Sequence, residues 1–334
     1  MRVVAAVDKF RGTATAAEVA TAIGHACFEH DHDCTEVALA DGGEGLLAVL
    51  GGPNRTTTVT GPLGAPVDAD WRMHRGTAII EMALASGLEL AGGAEGNDPM
   101  EATTAGTGEL IDAALTGGAK RIIVGLGGSA TTDGGLGALR AIGSPARLKA
   151  VELLVACDVT TRFTEAATVF GPQKGATPTQ IKMLTRRLQQ LAERYRGEFG
   201  VDVAEIDGSG AAGGIAGALA AVGGRLTLGF DLVADELDLP DQIESADLVI
   251  TGEGHLDEQS FQGKVVGGVA ELAAEFGVPV AAIVGIADAS VTDRIPTWSL
   301  VERYGAERAF REPLWCIQHT AADVLRHFAR EIGR

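Results

Sequence analysis

Short apolar runs recur along the chain, and each stops at an acid or runs into glycine. Val3–Val7 ends at Asp8, and Val37–Leu39 leads into Ala40-Asp41-Gly42-Gly43-Glu44-Gly45. Arg121–Val124 breaks into Gly125-Leu126-Gly127-Gly128-Ser129, and Leu248–Ile250 into Thr251-Gly252-Glu253-Gly254. Runs of this length, bounded by turn formers, predict buried strands. Helical spacing follows several of them. Thr15 and Glu18 have the spacing of a capping box and predict a helix start. Leu136, Leu139 and Ile142 form an amphipathic stretch behind the glycine-dense loop. Further helices are predicted from about Pro178 to Arg196, from about Lys264, and at the end of the chain to Ile332.

One region departs from strand–helix alternation. Thr56–Thr60, Val67–Met73 and Thr77–Ile80 alternate apolar and polar residues, with the turn Gly61-Pro62-Leu63-Gly64 between the first two. Strands in succession without helices indicate a mixed sheet. After Asp247 the clean alternation returns, with a strand at Val280–Val284. The pattern therefore predicts two α/β domains. One is a parallel-sheet, Rossmann-like domain built from both chain ends, residues 1–62 plus 245–334. The other is an inserted mixed-sheet domain, 63–244. At 334 residues the chain exceeds what a single core usually serves.

Composition narrows the functional classes. The formal charge of −18 argues against nucleic acid and against an anionic membrane surface, both of which draw on clustered Lys and Arg. The N-terminus enters a strand without a signal-peptide pattern, and no stretch has the apolar length of a membrane span. Cys27, Cys34, Cys157 and Cys316 form no CxxC pair, so reduced thiols and a cytoplasmic setting are expected. The segment His25–Cys34, HACFEHDHDC, resembles a metal site in composition only. With no second ligand pair at zinc spacing, it reads as a solvated helix end.

The loops carry the candidate chemistry. Gly127, Gly128 and Ser129 lie where strand gives way to loop, and a helix follows, a place where backbone N–H groups can cradle a phosphate or carboxylate. Asp8, Asp41, Glu44, Asp133, Asp158, Glu253 and Asp257 all fall just past an apolar strand, the edge where parallel α/β sheets bind ligands. Phosphoryl transfer needs phosphate donors, a carboxylate for Mg²⁺ and a carboxylate to take a proton, and the chain supplies all three. Gly263-Lys264 lacks the preceding glycine and the following Ser/Thr of a Walker loop. Gly125, Gly127 and Ala130 fit a dinucleotide fingerprint, but the ribose-binding acid about 20 residues on is missing. An NAD-dependent oxidoreductase is thus the weaker alternative.

At these residues the chain resembles the bacterial glycerate kinase family, the glyoxylate-pathway type that phosphorylates glycerate with ATP. The resemblance rests on DKFRG at Asp8–Gly12, ADGGEG at Ala40–Gly45, TGPLG at Thr60–Gly64, TTAGTGELI at Thr103–Ile111 and GGSATTDGG at Gly127–Gly135. CDVT at Cys157–Thr160, VFGPQKGAT at Val169–Thr177, GAAGG at Gly210–Gly214 and LVITGEGHLDEQSFQGK at Leu248–Lys264 extend it over nearly the whole chain. It implies an active site between two α/β domains, ATP and Mg²⁺ as cosubstrates, and 2-phosphoglycerate as product. Carried onto matching positions, it makes Asp8, Asp41, Asp133, Asp158 and Lys264 catalytic candidates. Gly127, Gly128, Ser129, Lys174, Glu253 and Asp257 become candidates for nucleotide binding, and Arg11, Glu44 and Thr104 for substrate binding. Asp133, Asp158 and Glu253 are the Mg²⁺ candidates. The chain departs from the family pattern at Thr161-Arg162-Phe163-Thr164-Glu165, in the short segment Gly143–Val151, and at His255, where Arg is common. Another small hydroxy acid, such as a four-carbon aldonate, is the alternative substrate, and a monomer or homodimer is expected.

Overall fold

A computed structural model describes residues 1–332. Its strands are β1 (Arg2–Val7), β2 (Asp33–Ala38), β3 (Arg55–Thr60), β4 (Pro66–His74), β5 (Thr77–Glu81), β6 (Arg121–Gly125), β7 (Glu152–Ala156), β8 (Arg225–Thr227), β9 (Leu248–Leu256), β10 (Val280–Ala287) and β11 (Thr297–Ser299). They divide between two compact units. The first joins Met1–Asp41 to the chain from Gly229 onward, and the second is Gly42–Leu228.

The first unit holds a sheet of order β11-β10-β9-β1-β2, with every neighbouring pair parallel. A parallel sheet needs both faces covered, which is why Val3–Val7 is apolar without alternation. Val3, Ala5 and Val7 pack with Ile23 and Ala26 of the helix Ala16–Glu29 and with Val324 and Leu325 of the helix Pro313–Ile332. On β10, Ala282 and Val284 instead pack with Val266 of the helix Val265–Glu275. The second unit holds β3-β4-β5-β6-β7-β8, antiparallel from β3 to β5 and parallel from β5 to β8. Its core sets Ile80, Ile122 and Val155 against Leu110 of the helix Ala105–Thr116 and Leu184 and Leu188 of the helix Pro178–Phe199. The two-sheet α/β class expected from the pattern is the observed one.

Several boundaries differ from those read in the sequence. The second unit begins at Gly42 and not at 63, because β3 pairs with β4 from Arg55↔Trp71 to Thr60↔Pro66. The first unit resumes at Gly229 and not at 245, because the helix Gly229–Glu236 packs under Val265–Glu275. A Cβ on Gly268 would come within 2.3 Å of the Phe230 ring. β2 starts at Asp33, ahead of its apolar residues: as an edge strand it pairs with β1 from Arg2↔Asp33 while leaving polar side chains exposed. β9 continues to Leu256, through Thr251-Gly252-Glu253-Gly254, because β10 pairs with it as far as Ala287↔Leu256. Between β10 and the last helix lie β11 and the short helices Leu300–Tyr304 and Ala306–Arg311, pieces too brief for a periodicity to mark. No helix among the described residues is long and apolar enough to cross a membrane.

Candidate active site

In the first unit the chemistry gathers where β1 gives out. Val7 pairs with Gly252, and the Asp8 N–H donates to the Gly252 carbonyl at 2.9 Å, so Asp8 stands at the carboxyl edge of the sheet. Glu253 is the next residue on β9, already past the end of β1. Glycine at 252 is required by close approach, since a Cβ there would lie 2.2 Å from the Ile283 carbonyl oxygen.

Burial pushes the Asp8 carboxyl up to about 6, and the negative charge of Asp41 pushes the same way. The Lys9 N–H, 2.7 Å from Oδ1, and the ammonium groups of Lys9 and Lys264 oppose the shift. Glu253 goes up to about 7, again chiefly through burial, with the charges of Asp8 and Asp257 adding to it and Ser260 and Lys264 opposing. Its Oε1 is buried and has no hydrogen-bond partner. Buried acceptors are nearly always satisfied, so this oxygen marks a place for a cation or a donor. Two half-buried carboxyls titrating close to neutrality, each felt by Lys264 at the N-cap of the helix Val265–Glu275, form a cluster suited to proton transfer and to holding a hard cation.

The other candidates of this unit differ in kind. Asp257 caps a short 3₁₀ turn, with Oδ1 accepting from Gln259 N at 2.8 Å and Ser260 N at 3.0 Å. Burial works to raise its carboxyl, but those N–H groups and Lys264 hold it below the usual carboxylate value. Asp257 therefore shapes the turn that carries Ser260 towards Glu253. Arg11 is exposed in a turn closed by the Phe10–Ala14 pairing.

In the second unit the glycine loop follows β6. Its helix start does not await an external anion. Asp133 fills that place, with Oδ1 accepting from Gly135 N at 3.0 Å and Oδ2 from Gly137 N at 3.1 Å and Thr104 N at 2.9 Å. The Thr104 hydroxyl also donates to Oδ2 at 2.9 Å and accepts from Ala138 N at 2.9 Å. Asp133 thus joins the N-termini of the helices Ala105–Thr116 and Leu136–Ala141, and Thr104, fully buried, is its partner. The loop's donors lie nearer the strand. Among the described residues, the N–H groups of Gly127, Gly128 and Ser129 donate to no backbone carbonyl, and Gly128 is exposed.

Lys174 is also internal. It is 2% exposed, and its ammonium donates to Ser129 Oγ at 2.8 Å and to the Thr131 carbonyl at 2.6 Å. The Gly42–Gly45 loop lies against the glycine loop, since a Cβ on Gly127 would sit 3.0 Å from Gly43 Cα. Glu44 is exposed on that loop, and Asp158 is half-buried past β7, where its charge and, more strongly, burial push the Cys157 thiol up to about 11. Among the described residues no group of three or more His, Cys, Asp or Glu is placed to hold a metal ion. The divergent segment 161–165 is a packing element. Phe163 is fully buried, its ring 3.1 Å from where a Cβ on Gly134 would sit, and Arg162 pairs with Asp207 at 3.0 Å.

Sequence reasoning missed three residues that hold these loops. Glu81, buried at the end of β5, accepts from Gly45 N at 3.1 Å and Leu47 N at 2.6 Å. Asn97 donates to the carbonyls of Ala130 at 3.0 Å and Lys174 at 2.9 Å. The Tyr195 hydroxyl donates to the Gly134 carbonyl at 2.9 Å. An acid ending an otherwise apolar strand, as Glu81 does, is the one available signal; the other two contacts are between distant segments.

The model of the glycerate kinase family matches residues 3–146 and 143–333. Glycerate 2-kinase of Escherichia coli K12 is 40% identical, with 93% of this chain and 90% of that protein covered. Glycerate kinase of Bacillus subtilis 168 is 38% identical over 85% of each. A crystal structure from Salmonella typhimurium LT2, assigned provisionally as glycerate kinase 2, superposes with a TM-score of 0.86 at 37% identity over 99% of both chains. These similarities make the chain a kinase. It belongs to the glycerate kinase family.

Proposed function

We propose that the protein transfers the γ-phosphoryl group of ATP to D-glycerate, giving 2-phosphoglycerate and ADP. The observation that carries this reading is the half-buried pair Asp8 and Glu253, held near neutrality beside Lys264. A general base works best with a pKa near the operating pH, and Asp8 at about 6 meets that condition while staying ionised at pH 7.5. Asp8 accepts the proton of the glycerate 2-hydroxyl as its oxygen bonds to phosphorus and the bond from phosphorus to the ADP oxygen breaks. Glu253, through its unpartnered Oε1, fits Mg²⁺, which is usually held by one or two carboxylates together with waters and phosphate oxygens. Bound there, Mg²⁺ offsets the negative charge of the phosphates. The N–H groups of Gly127 and Gly128 and the Ser129 hydroxyl donate to phosphate oxygens, Arg11 pairs with the glycerate carboxylate, and Lys264 balances charge around the two carboxyls.

The test is turnover with D-glycerate, L-glycerate and four-carbon hydroxy acids, with and without EDTA, the product being identified by ³¹P NMR. The expected result is Mg²⁺-dependent 2-phosphoglycerate from D-glycerate, in equal amount to ADP. Turnover that survives EDTA, a 3-phosphoglycerate product or preference for a four-carbon acid would overturn the corresponding part. Nicotinamide bound to purified protein would favour an oxidoreductase.

A further inference from the structure

Lys174, a nucleotide-binding candidate by resemblance, is buried against the glycine loop. Two of its three ammonium protons go to Ser129 Oγ and the Thr131 carbonyl, and the Phe170 ring stands 6.0 Å away. Asn97 fastens the same two segments a second time by donating to the carbonyls of Ala130 and Lys174. The bond to Ser129 has a chemical consequence. A serine hydroxyl has one proton and two acceptor sites. With an acceptor site filled by Lys174, the proton of this largely buried hydroxyl is left to donate elsewhere. Without that donor the acceptor site is empty and nothing fixes the direction of the hydroxyl.

We propose that Lys174 is a positioning residue that fixes Ser129 as an outward hydrogen-bond donor, and so sets the affinity of the loop for phosphate oxygens without touching them. This rests on the reading that the glycine loop takes the nucleotide phosphates. Burial pushes Lys174 down to about 7 while the charge of Asp133 pulls it back up, and the group donates in either state, since even the neutral amine keeps two N–H groups for Ser129 Oγ and the Thr131 carbonyl.

A double-mutant cycle on the full chain tests this, with ATP affinity measured by calorimetry separately from turnover. Ser129→Ala and Lys174→Met are each expected to weaken ATP binding about tenfold. Their combination is expected to be no weaker than either alone, because both remove the same donor. A structural role for Lys174 would instead lower melting temperature and leave the two effects additive, which would overturn the proposal. Should Lys174→Met not fold, Ser129→Ala decides the matter: unchanged ATP affinity at unchanged melting temperature rejects it, and a tenfold loss supports it. Wild-type protein that binds no ATP also rejects it. Protein that binds ATP with this dependence but leaves glycerate unphosphorylated keeps the brace and removes the proposed substrate.

Discussion

A carboxyl that resists ionisation weakens the fold whenever the pH forces a charge on it. Asp8 is raised from 3.8 to about 6 and Glu253 from 4.5 to about 7, so folding favours their neutral forms. With folded pKa values above the unfolded ones, their stabilising contribution is fully present below about pH 4 and is lost as pH rises through 6 to 7. A rise of this size corresponds to about 3 kcal/mol for one group. Because the two carboxyls repel each other, the contributions do not simply add. Asp8→Asn, which keeps the shape and removes the charge, is therefore expected to raise the melting temperature by roughly 2–6 °C at pH 8 and by about a third as much at pH 4.5. Differential scanning calorimetry at the two pH values checks this, and a variant less stable than wild type at pH 8 would contradict it.

At the scale of elements, the strand–loop–helix unit at Gly125–Gly137 was legible because glycine density and apolar spacing are local. The task of its acid was not. An aspartate at a helix start reads the same whether it faces a ligand or caps the helix. What decides is Thr104, 29 positions away, whose N–H and hydroxyl close on it. The burial of Lys174 was not legible for the same reason, its partner Ser129 lying 45 positions off. β9 ran longer than its apolar residues because β10 supplies pairing that no local pattern encodes. Asp133→Ala unsatisfies three buried or half-buried N–H groups and the Thr104 hydroxyl, so it is expected to lose about 2–4 kcal/mol of stability, beyond an ordinary cap. Urea denaturation followed by circular dichroism measures it. A loss under about 0.5 kcal/mol, the low end for a cap, would show that these bonds are not what joins the two helices.

For the whole molecule, the charge of −18 sets a long-range field that repels ATP and glycerate alike. Salt screens such a field over about 8–10 Å at 0.1–0.15 M. The KM for glycerate is therefore expected to fall as ionic strength rises from about 0.01 to 0.15 M, a range over which that screening sets in. Steady-state kinetics in NaCl at fixed free Mg²⁺ checks the sign, and a rising KM would mean that local cations dominate encounter. The two-unit plan was readable from strand succession, but its seams were not, since they depend on which sheet β3 joins and on where the helix Gly229–Glu236 packs.

The central claim is that Asp8 takes the substrate proton. Its most direct measurement is single-turnover phosphoryl transfer from ATP to D-glycerate by Asp8→Asn, with ATP affinity measured on the same protein. The expected result is a loss of at least 10²-fold in the transfer rate, the usual contribution of a general base, with ATP affinity within threefold of wild type. Transfer at the wild-type rate by a folded Asp8→Asn protein would contradict it.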